Sequence, residues 1–270
     1  DGFKRHSPVS LFLLPLLAAC GLPAISHGCQ SVGPKFGVTH RQIFEQMGIR
    51  VDLTPAEAAV RLADPHVGWA YLDQSVFCPA LHDLIELRRL IVKRPCIATL
   101  EKLCGPVRAG KNHLVIGYVH PGYEMQIPMA ARHAGFHSCL TVKGVEGGVL
   151  LPMHRPMEGY IYTDGGDLRS LLFDPKEAGV ETHIRSTPIP LECKAATEEE
   201  IGSLIAASAI QIGEKALSGK PGPGRDALVF SASAILYAVG HYSSLSDAAK
   251  EVCEKLDSGA ALHRFKAGVV

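Results

Sequence analysis

Residues 26–37 read SHGCQSVGPKFG. A short apolar run, 22–25, leads into them and a helix-like stretch, 39–48, follows. The segment therefore reads as the loop of a strand–loop–helix unit, the building block of an α/β fold. It carries Gly28, Gly33 and Gly37, the small side chains Cys29 and Ser31, and one lysine, Lys35. Glycine lets backbone N–H groups approach an anion, and the start of the following helix adds a favourable dipole. One reading is a phosphate cradle. The other is an ordinary strand-to-helix corner, which needs glycine in any case. The spacing matches neither the P-loop nor the dinucleotide fingerprint, so the residues alone leave both readings open.

Upstream, Lys4, Arg5 and His6 precede an apolar run, 9–19, that ends in Leu17, Ala18, Ala19 and Cys20. A basic start, an apolar middle and a cysteine resemble a bacterial lipoprotein signal, and the run is too short to span a bilayer. The other reading is a buried helix feeding the strand at 22–25. The continuity of helix and strand favours the buried helix.

Downstream, Thr54 and Pro55 form an N-cap and first-turn proline for a helix over 56–63. Residues 67–72 read as a strand, and Pro79 opens a helix to about Leu90 that carries Arg88 and Arg89. A short helix covers 97–103. The run LVIGYV at 114–119 reads as a central strand, 123–134 as a helix stopped by Gly135, and 138–142 as the next strand. The glycine-rich stretch 143–148 follows that strand, where a parallel sheet puts its chemistry. Strands at 160–163 and 168–173, split by DGGD, predict a hairpin. Thr197 and Glu200 form a capping box for a helix to about Leu217, and SGKPGPG at 218–224 is a loop. Helices over 226–239 and 245–257 close the chain, with Gly259 past the end of the last. The alternation predicts one α/β domain over 1–270, with a mainly parallel central sheet flanked by helices.

Composition narrows the function classes. In 270 residues, 47% hydrophobic and 20% charged residues describe a chain with a substantial core. Lys plus Arg and Asp plus Glu each number 27, so no overall basic excess recommends nucleic acid, although a local patch would serve. Eight cysteines lie scattered without a C-x-x-C pair. That pattern fits thiols of a reducing compartment, the cytoplasm, better than a disulfide framework or a closed zinc site. Cys29 is either an activated thiol near a helix start or a small filler, and the lack of a neighbouring His–Asp pair favours the filler. His120 and His137 sit at strand ends and read as loop caps.

The stretch 217–262, LSGKPGPGRDALVFSASAILYAVGHYSSLSDAAKEVCEKLDSGAAL, resembles the end of the anthranilate phosphoribosyltransferase family. The segments VDLTPAEAAV at 51–60 and PALHDLIELRR at 79–89 resemble it too, as do 103–107 and 114–120. The resemblance covers nearly the whole chain. It implies a nucleoside-phosphorylase-like α/β domain of glycosyltransferase family 3. The family's small N-terminal helical domain, which helps it dimerise, would be largely absent, and a homodimer is expected only with that domain. A fragment or truncated chain is the expectation.

The resemblance also implies a site. The family holds phosphoribosyl pyrophosphate with a Gly-Thr-Gly-Gly-Asp turn, an Asn-x-Ser-Thr segment and a Lys-His-Gly-Asn-Arg segment, and binds Mg2+ with a later Asp-Glu pair. Metal and N–H donors stabilise the departing pyrophosphate. Here the first turn would lie at or before Asp1 and Gly2. The second segment keeps only Ser10. In the third, Ser26 replaces the lysine, His27 and Gly28 remain, and Cys29 and Gln30 replace the asparagine and arginine. Lys35 and Gly37 match the rest of the loop. Val149 and Leu150 fall where the acidic pair belongs, and Glu146 is the nearby candidate for one carboxylate. Arg88 matches the arginine that contacts the anthranilate carboxylate, and Arg89 follows it.

Ser10, His27, Gly28, Cys29, Ser31, Lys35 and Gly37 thus stand as candidate phosphate or ribose-donor contacts, and Arg88 and Arg89 as acceptor or phosphate contacts. Two functions compete. One is a pentosyl transferase, for which Mg2+ is the implied cofactor. The other is suggested by a side branch of the family that lacks the transferase activity and binds nucleic acid through a basic groove. Its start resembles residues 1–6, DGFKRH. Lys4, Arg5, Lys35, Arg88, Arg89, Lys93, Arg94, Arg108, Lys111 and Lys143 are the basic residues expected to gather around the loop. Partners are then a phosphorylated ligand or single-stranded nucleic acid, with no membrane. A third reading is a degenerate paralogue with a structural or regulatory role.

Overall fold

The computed structural model describes residues 2–32, 36–93 and 95–269, the side chains of 198 and 199 excepted. The apolar run near the start is helical. A 3-10 turn, Ser10–Phe12, leads into α1 (Leu13–Ala19). Leu11, Phe12, Leu13 and Leu16 are buried. The helix is apolar on all sides because it is covered on all sides, by the first sheet and by helices from the C-terminal half.

β1 (Ala24–Gly28) starts later than the apolar run suggests and takes in Ser26, His27 and Gly28, which the sequence places in the loop. Its parallel partner, β2 (Trp69–Asp73), explains the shift: Ala24 pairs with Trp69 and Gly28 with Asp73. That pairing is long-range and leaves no local signal. Between the strands, α2 (His40–Gln46) is capped by a Thr39–Gln42 box and α3 (Pro55–Ala63) by a Thr54–Glu57 box.

The single helix expected from Pro79 to about Leu90 is divided at Asp83 and Leu84 into α5 (Pro79–His82) and α6 (Ile85–Ile91), and a further short helix, α4 (Gln74–Phe77), precedes it. Cys78 separates α4 from α5 at φ −147°, ψ 62°. A residue before proline is pushed out of the helical region by the proline ring, so the break falls there. α7 (Ile97–Leu100) continues into a 3-10 turn, Glu101–Leu103.

The second sheet has the order β3-β4-β5-β6. β3 (His113–Gly117) and β4 (Ser138–Val142) are parallel, joined by α8 (Tyr123–His133). β5 (Met157–Thr163) and β6 (Arg169–Phe173) continue antiparallel as the expected hairpin. Parallel pairing therefore holds for β1–β2 and β3–β4, in two sheets rather than one. β3, expected at the centre, lies at the edge of its sheet.

The C-terminal half is helical: α9 (Glu198–Leu217), α10 (Pro223–Ala238), α11 (Leu245–Asp257) and α12 (Ala260–Ala267). The sequence places the last helix at α11. Gly259 does end it, at φ 74°, but also starts α12. What holds α12 is an aromatic stack. Phe265 lies 5.7 Å from Trp69 and 5.4 Å from Phe12, and Phe44 covers the other face of Trp69 at 5.9 Å. The Trp69 indole N–H donates to the Arg264 carbonyl at 2.9 Å. Among the described residues no helix is long and apolar enough to cross a membrane.

Candidate functional site

A short strap formed by residues 2–6 runs between the end of the glycine-rich loop and the turn after β4. Phe3 and Val38 exchange two backbone hydrogen bonds of 2.9 Å, so the strap pairs with the end of the glycine-rich loop. Gly2 and Gly37 cross there. A Cβ on Gly37 would stand 2.6 Å from the Phe3 nitrogen, and one on Gly2 would stand 2.6 Å from the Gly37 nitrogen. Ser31 Oγ accepts the Gly37 N–H at 3.0 Å and steadies the crossing. Gly37 is thus required for backbone contact with the chain's own strap.

On its other side the strap is held by Glu146. Its carboxylate accepts the Lys4 N–H at 3.2 Å, the Arg5 N–H at 2.9 Å and a 2.6 Å bond with His6 Nδ1. Burial works to raise the carboxyl pKa, but the His6 and Arg5 bonds outweigh it and bring the value down to about 2. Glu146 adopts φ 51°, a left-handed conformation that costs a non-glycine residue energy and aims the carboxylate at the strap. The turn bearing it abuts the ends of β3 and β4. A Cβ on Gly117 or on Gly144 would stand 2.0 Å from the Gly148 oxygen. A small cavity of about 40 Å³ lies beside it, lined by Lys102, Gly117, Tyr118, His120, Tyr123 and Gly147 among others.

Comparison with known proteins places this architecture. Residues 4–262 match the α/β domain of the glycosyl transferase family. The chain belongs to that family. It is 30% identical to the anthranilate phosphoribosyltransferase of Sorangium cellulosum over 260 residues, 95% of this chain and 68% of that protein. The enzyme of the same name from Desulfitobacterium hafniense is 26% identical over 247 residues, 92% of this chain and 68% of its own length. In fold, the chain is similar to the anthranilate phosphoribosyltransferase of Thermus thermophilus, with a TM-score of 0.72, 22% identity and coverage of 100% of this chain and 73% of the other. It is similar also to the Saccharomyces cerevisiae enzyme in complex with PRPP and Mg, with a TM-score of 0.76, 16% identity and coverage of 98% and 69%.

In this family member the residues do not fit the magnesium that the resemblance implies. A hard divalent cation needs several oxygen ligands. Leu150 is a buried aliphatic, Val149 rests against the core, and the Glu146 oxygens are engaged by the strap. Among the described residues no group of three or more His, Cys, Asp or Glu is placed to hold a metal. Glu146, a candidate ligand in the sequence, serves as a strap anchor.

The other candidates separate. Ser10 is buried and bonds His40 Nε2 at 2.7 Å, beneath the surface. Burial drives the His40 pKa down to about 3. His27 stands on β1, edge-on to Phe77 at 5.2 Å, and burial lowers its pKa to about 4, so it is neutral at pH 7. Gly28 lies in ordinary contact range of the Tyr71 hydroxyl, 3.4 Å from its Cβ position. Burial, then Glu101 and Asp73, push the Cys29 thiol pKa up, which is the behaviour of a filler and not of an activated nucleophile. Gly33, Lys35 and Arg94 lie outside the described residues.

Arg88 is buried and directed inward, its guanidinium 2.5 Å from Glu101, which also accepts from Gln74 Nε2 at 3.2 Å. Arg89 is exposed and pairs with Glu86 on its own helix. The described basic residues do not gather as one group. Lys4, Arg5 and Lys143 are exposed near the strand ends, whereas Arg108 and Lys111 precede β3 at the opposite end of the sheet. Sequence reasoning missed His6, His40 and Glu101 as partners. Their contacts are tertiary, and the one visible signal was the basic run that contains His6.

Proposed function

We propose that this protein is a phosphate-binding member of the glycosyl transferase family that works without a divalent metal, and that its ligand is the backbone of single-stranded nucleic acid. The observation that carries the reading is the Glu146 carboxylate holding the backbone of Lys4 and Arg5, which leaves both side chains exposed. Phosphate contacts need positive charge and N–H donors, and no metal. Lys143 stands after β4 on the same side. A cytoplasmic location fits the eight cysteines, all of them free.

A second reading, phosphoribosyl transfer to an aromatic acceptor, rests on the names of the relatives. It faces two obstacles, the aliphatic pair Val149–Leu150 and the inward ion pair of Arg88. Without metal and donor contacts the departing pyrophosphate would lose several kcal/mol of stabilisation, roughly 3 or more, which is a hundredfold or greater loss in rate.

The deciding experiment is a pair of titrations, one with single-stranded DNA at several salt concentrations and one with phosphoribosyl pyrophosphate and magnesium. Saturable, salt-sensitive DNA binding without magnesium-dependent donor binding supports the proposal. Magnesium-dependent donor binding that transfers ribose to anthranilate replaces it with the second reading.

A further inference from the structure

A second cavity, of about 480 Å³, lies at the far end of α2 from the strap. That volume falls within the roughly 300–1,000 Å³ of small-molecule pockets. α2 and α12 both pack on α9, and residues in or next to all three helices line the cavity. Its floor is apolar and buried, formed by Ile49, just after α2, and Phe265 of α12. Met47, Ile210 and Leu262 are half-buried walls packed against the main core. Two charges stand at the rim. Glu214 follows Ile210 by four residues on α9, and Lys266 follows Leu262 by four on α12, so each charged residue shares a helix face with a wall residue. Both are exposed, and among the described residues neither side chain has an ion-pair or hydrogen-bond partner. A cation and an anion thus border one apolar cavity without pairing with each other.

We infer that this cavity binds an apolar α-amino acid, with the ligand carboxylate at Lys266, its ammonium at Glu214 and its side chain on Ile49 and Phe265. Charge complementarity selects this class. A neutral apolar ligand would take water from both rim charges and satisfy neither. A ligand with one charge would satisfy one side chain and partly desolvate the other. A zwitterion with both charges on one carbon meets both, and its side chain is left to bury apolar surface on the floor. The floor is set in advance of the ligand. The Phe265 ring is held 5.7 Å from Trp69 and 5.4 Å from Phe12, so its orientation is fixed by the core rather than by what binds. A rigid apolar surface loses little entropy on binding.

The cavity is separate from the strap, so its test does not depend on which ligand the strap binds. The measurement is equilibrium dialysis of the full chain against radiolabelled L-phenylalanine. The competitors are 3-phenylpropionate, which lacks the ammonium, and phenethylamine, which lacks the carboxylate. Saturable binding of one molecule per chain is expected, with a Kd below about 1 mM. Each competitor should bind about tenfold more weakly than phenylalanine, and E214Q and K266Q should each raise the phenylalanine Kd about tenfold. E214Q should leave the affinity for 3-phenylpropionate as it was, which a general loss of structure would not do. I210W, which fills the cavity, should abolish binding, with circular dichroism checking its fold; the two rim variants carry the test without it. The inference is overturned if phenylalanine shows no saturable binding at about 10 mM, if E214Q and K266Q both bind it as the wild type does, or if either competitor matches it. It is overturned also if sedimentation shows wild-type chains associating and I210W chains not, since a second copy would then cover the cavity.

Discussion

Glu146 Oε2 lies 2.6 Å from His6 Nδ1, although the two residues stand 140 positions apart. With the Lys4 and Arg5 N–H groups on the same carboxylate, this contact ties the start of the chain to the turn after β4. Glu146, the candidate carboxylate near the aliphatic pair Val149–Leu150, thereby serves as a structural anion that holds the backbone of two basic residues.

Replacement of that anion has a defined pH signature. The Glu146 pKa is lowered in the folded chain from 4.5 to about 2, so its contribution is complete above about 4.5 and is lost as pH falls towards 2. E146Q is expected to lower stability by about 1–3 kcal/mol at pH 7, because His6 and the Lys4 and Arg5 N–H groups lose a charged acceptor. Urea midpoints for wild type and variant should converge between pH 4.5 and pH 2. A gap that stays constant across that range contradicts the anchor role.

Arg88 separates the ion-pair description from a free acceptor contact. R88A should cost about 3 kcal/mol, since it leaves the Glu101 carboxylate buried without its guanidinium. The double variant R88M/E101L should cost less than the two single changes summed, as neither charge remains alone. Additive losses in a denaturation cycle would show that the pair does not act as a unit.

Two half-buried histidines predict a second acid response. His27 and His40 are neutral in the folded chain, with pKa values lowered from 6.5 to about 4 and about 3, burial being the main cause. Between pH 6.5 and 4 the unfolded chain binds their protons and the folded chain does not, so stability rises with pH there and falls on acidification. Near pH 5 unfolding should take up about two protons from this pair, about 2.7 kcal/mol per pH unit. H27Q should remove about half of that slope in a series of urea unfolding curves, and an unchanged slope would refute the assignment.

Glycines predict where the site tolerates change. In G37A the new methyl would meet backbone atoms of Phe3 and Gly2, which cannot swing aside as a side-chain tip does. A loss of about 1–3 kcal/mol and weaker DNA binding are expected. Gly202, inside α9 with nothing within 4 Å of its Cβ position, is the contrast. G202A should be neutral or stabilising by up to about 1 kcal/mol. Thermal unfolding of the two variants checks both.

Charge on the strap should appear in the salt dependence. If Lys4 and Arg5 each contact one phosphate of a single strand, K4A/R5A lowers the slope of log affinity against log salt by about 1.4. A weakened affinity with an unchanged slope would place the phosphate contacts elsewhere.

Local chemistry was legible from the residues. The cap at Thr54, the box at Thr197, the hairpin around DGGD and the strand at Ser138–Val142 all stand where the sequence places them. The errors cluster where long-range pairing overrides local pattern. β1 runs through Gly28 because β2 lies beside it, and α12 exists because Phe265 has Trp69 and Phe12 to stack on. In the candidate site the aliphatic character of Val149 and Leu150 was legible, whereas the inward turn of Arg88 was not, because its partner Glu101 arrives on another element.

Side-chain type and spacing within one or two turns of chain were enough to establish the α/β class and most of the helix starts, and the family resemblance implied the aliphatic pair at Val149 and Leu150. Three features came from the assembled fold alone: Glu146 anchors the strap, Gly37 serves a backbone crossing and Arg88 points inward. Each of those contacts joins separate elements, and the strap joins residues more than 140 positions apart for Lys4. Their energies depend on which surfaces the whole fold brings together, and that information is distributed over the chain.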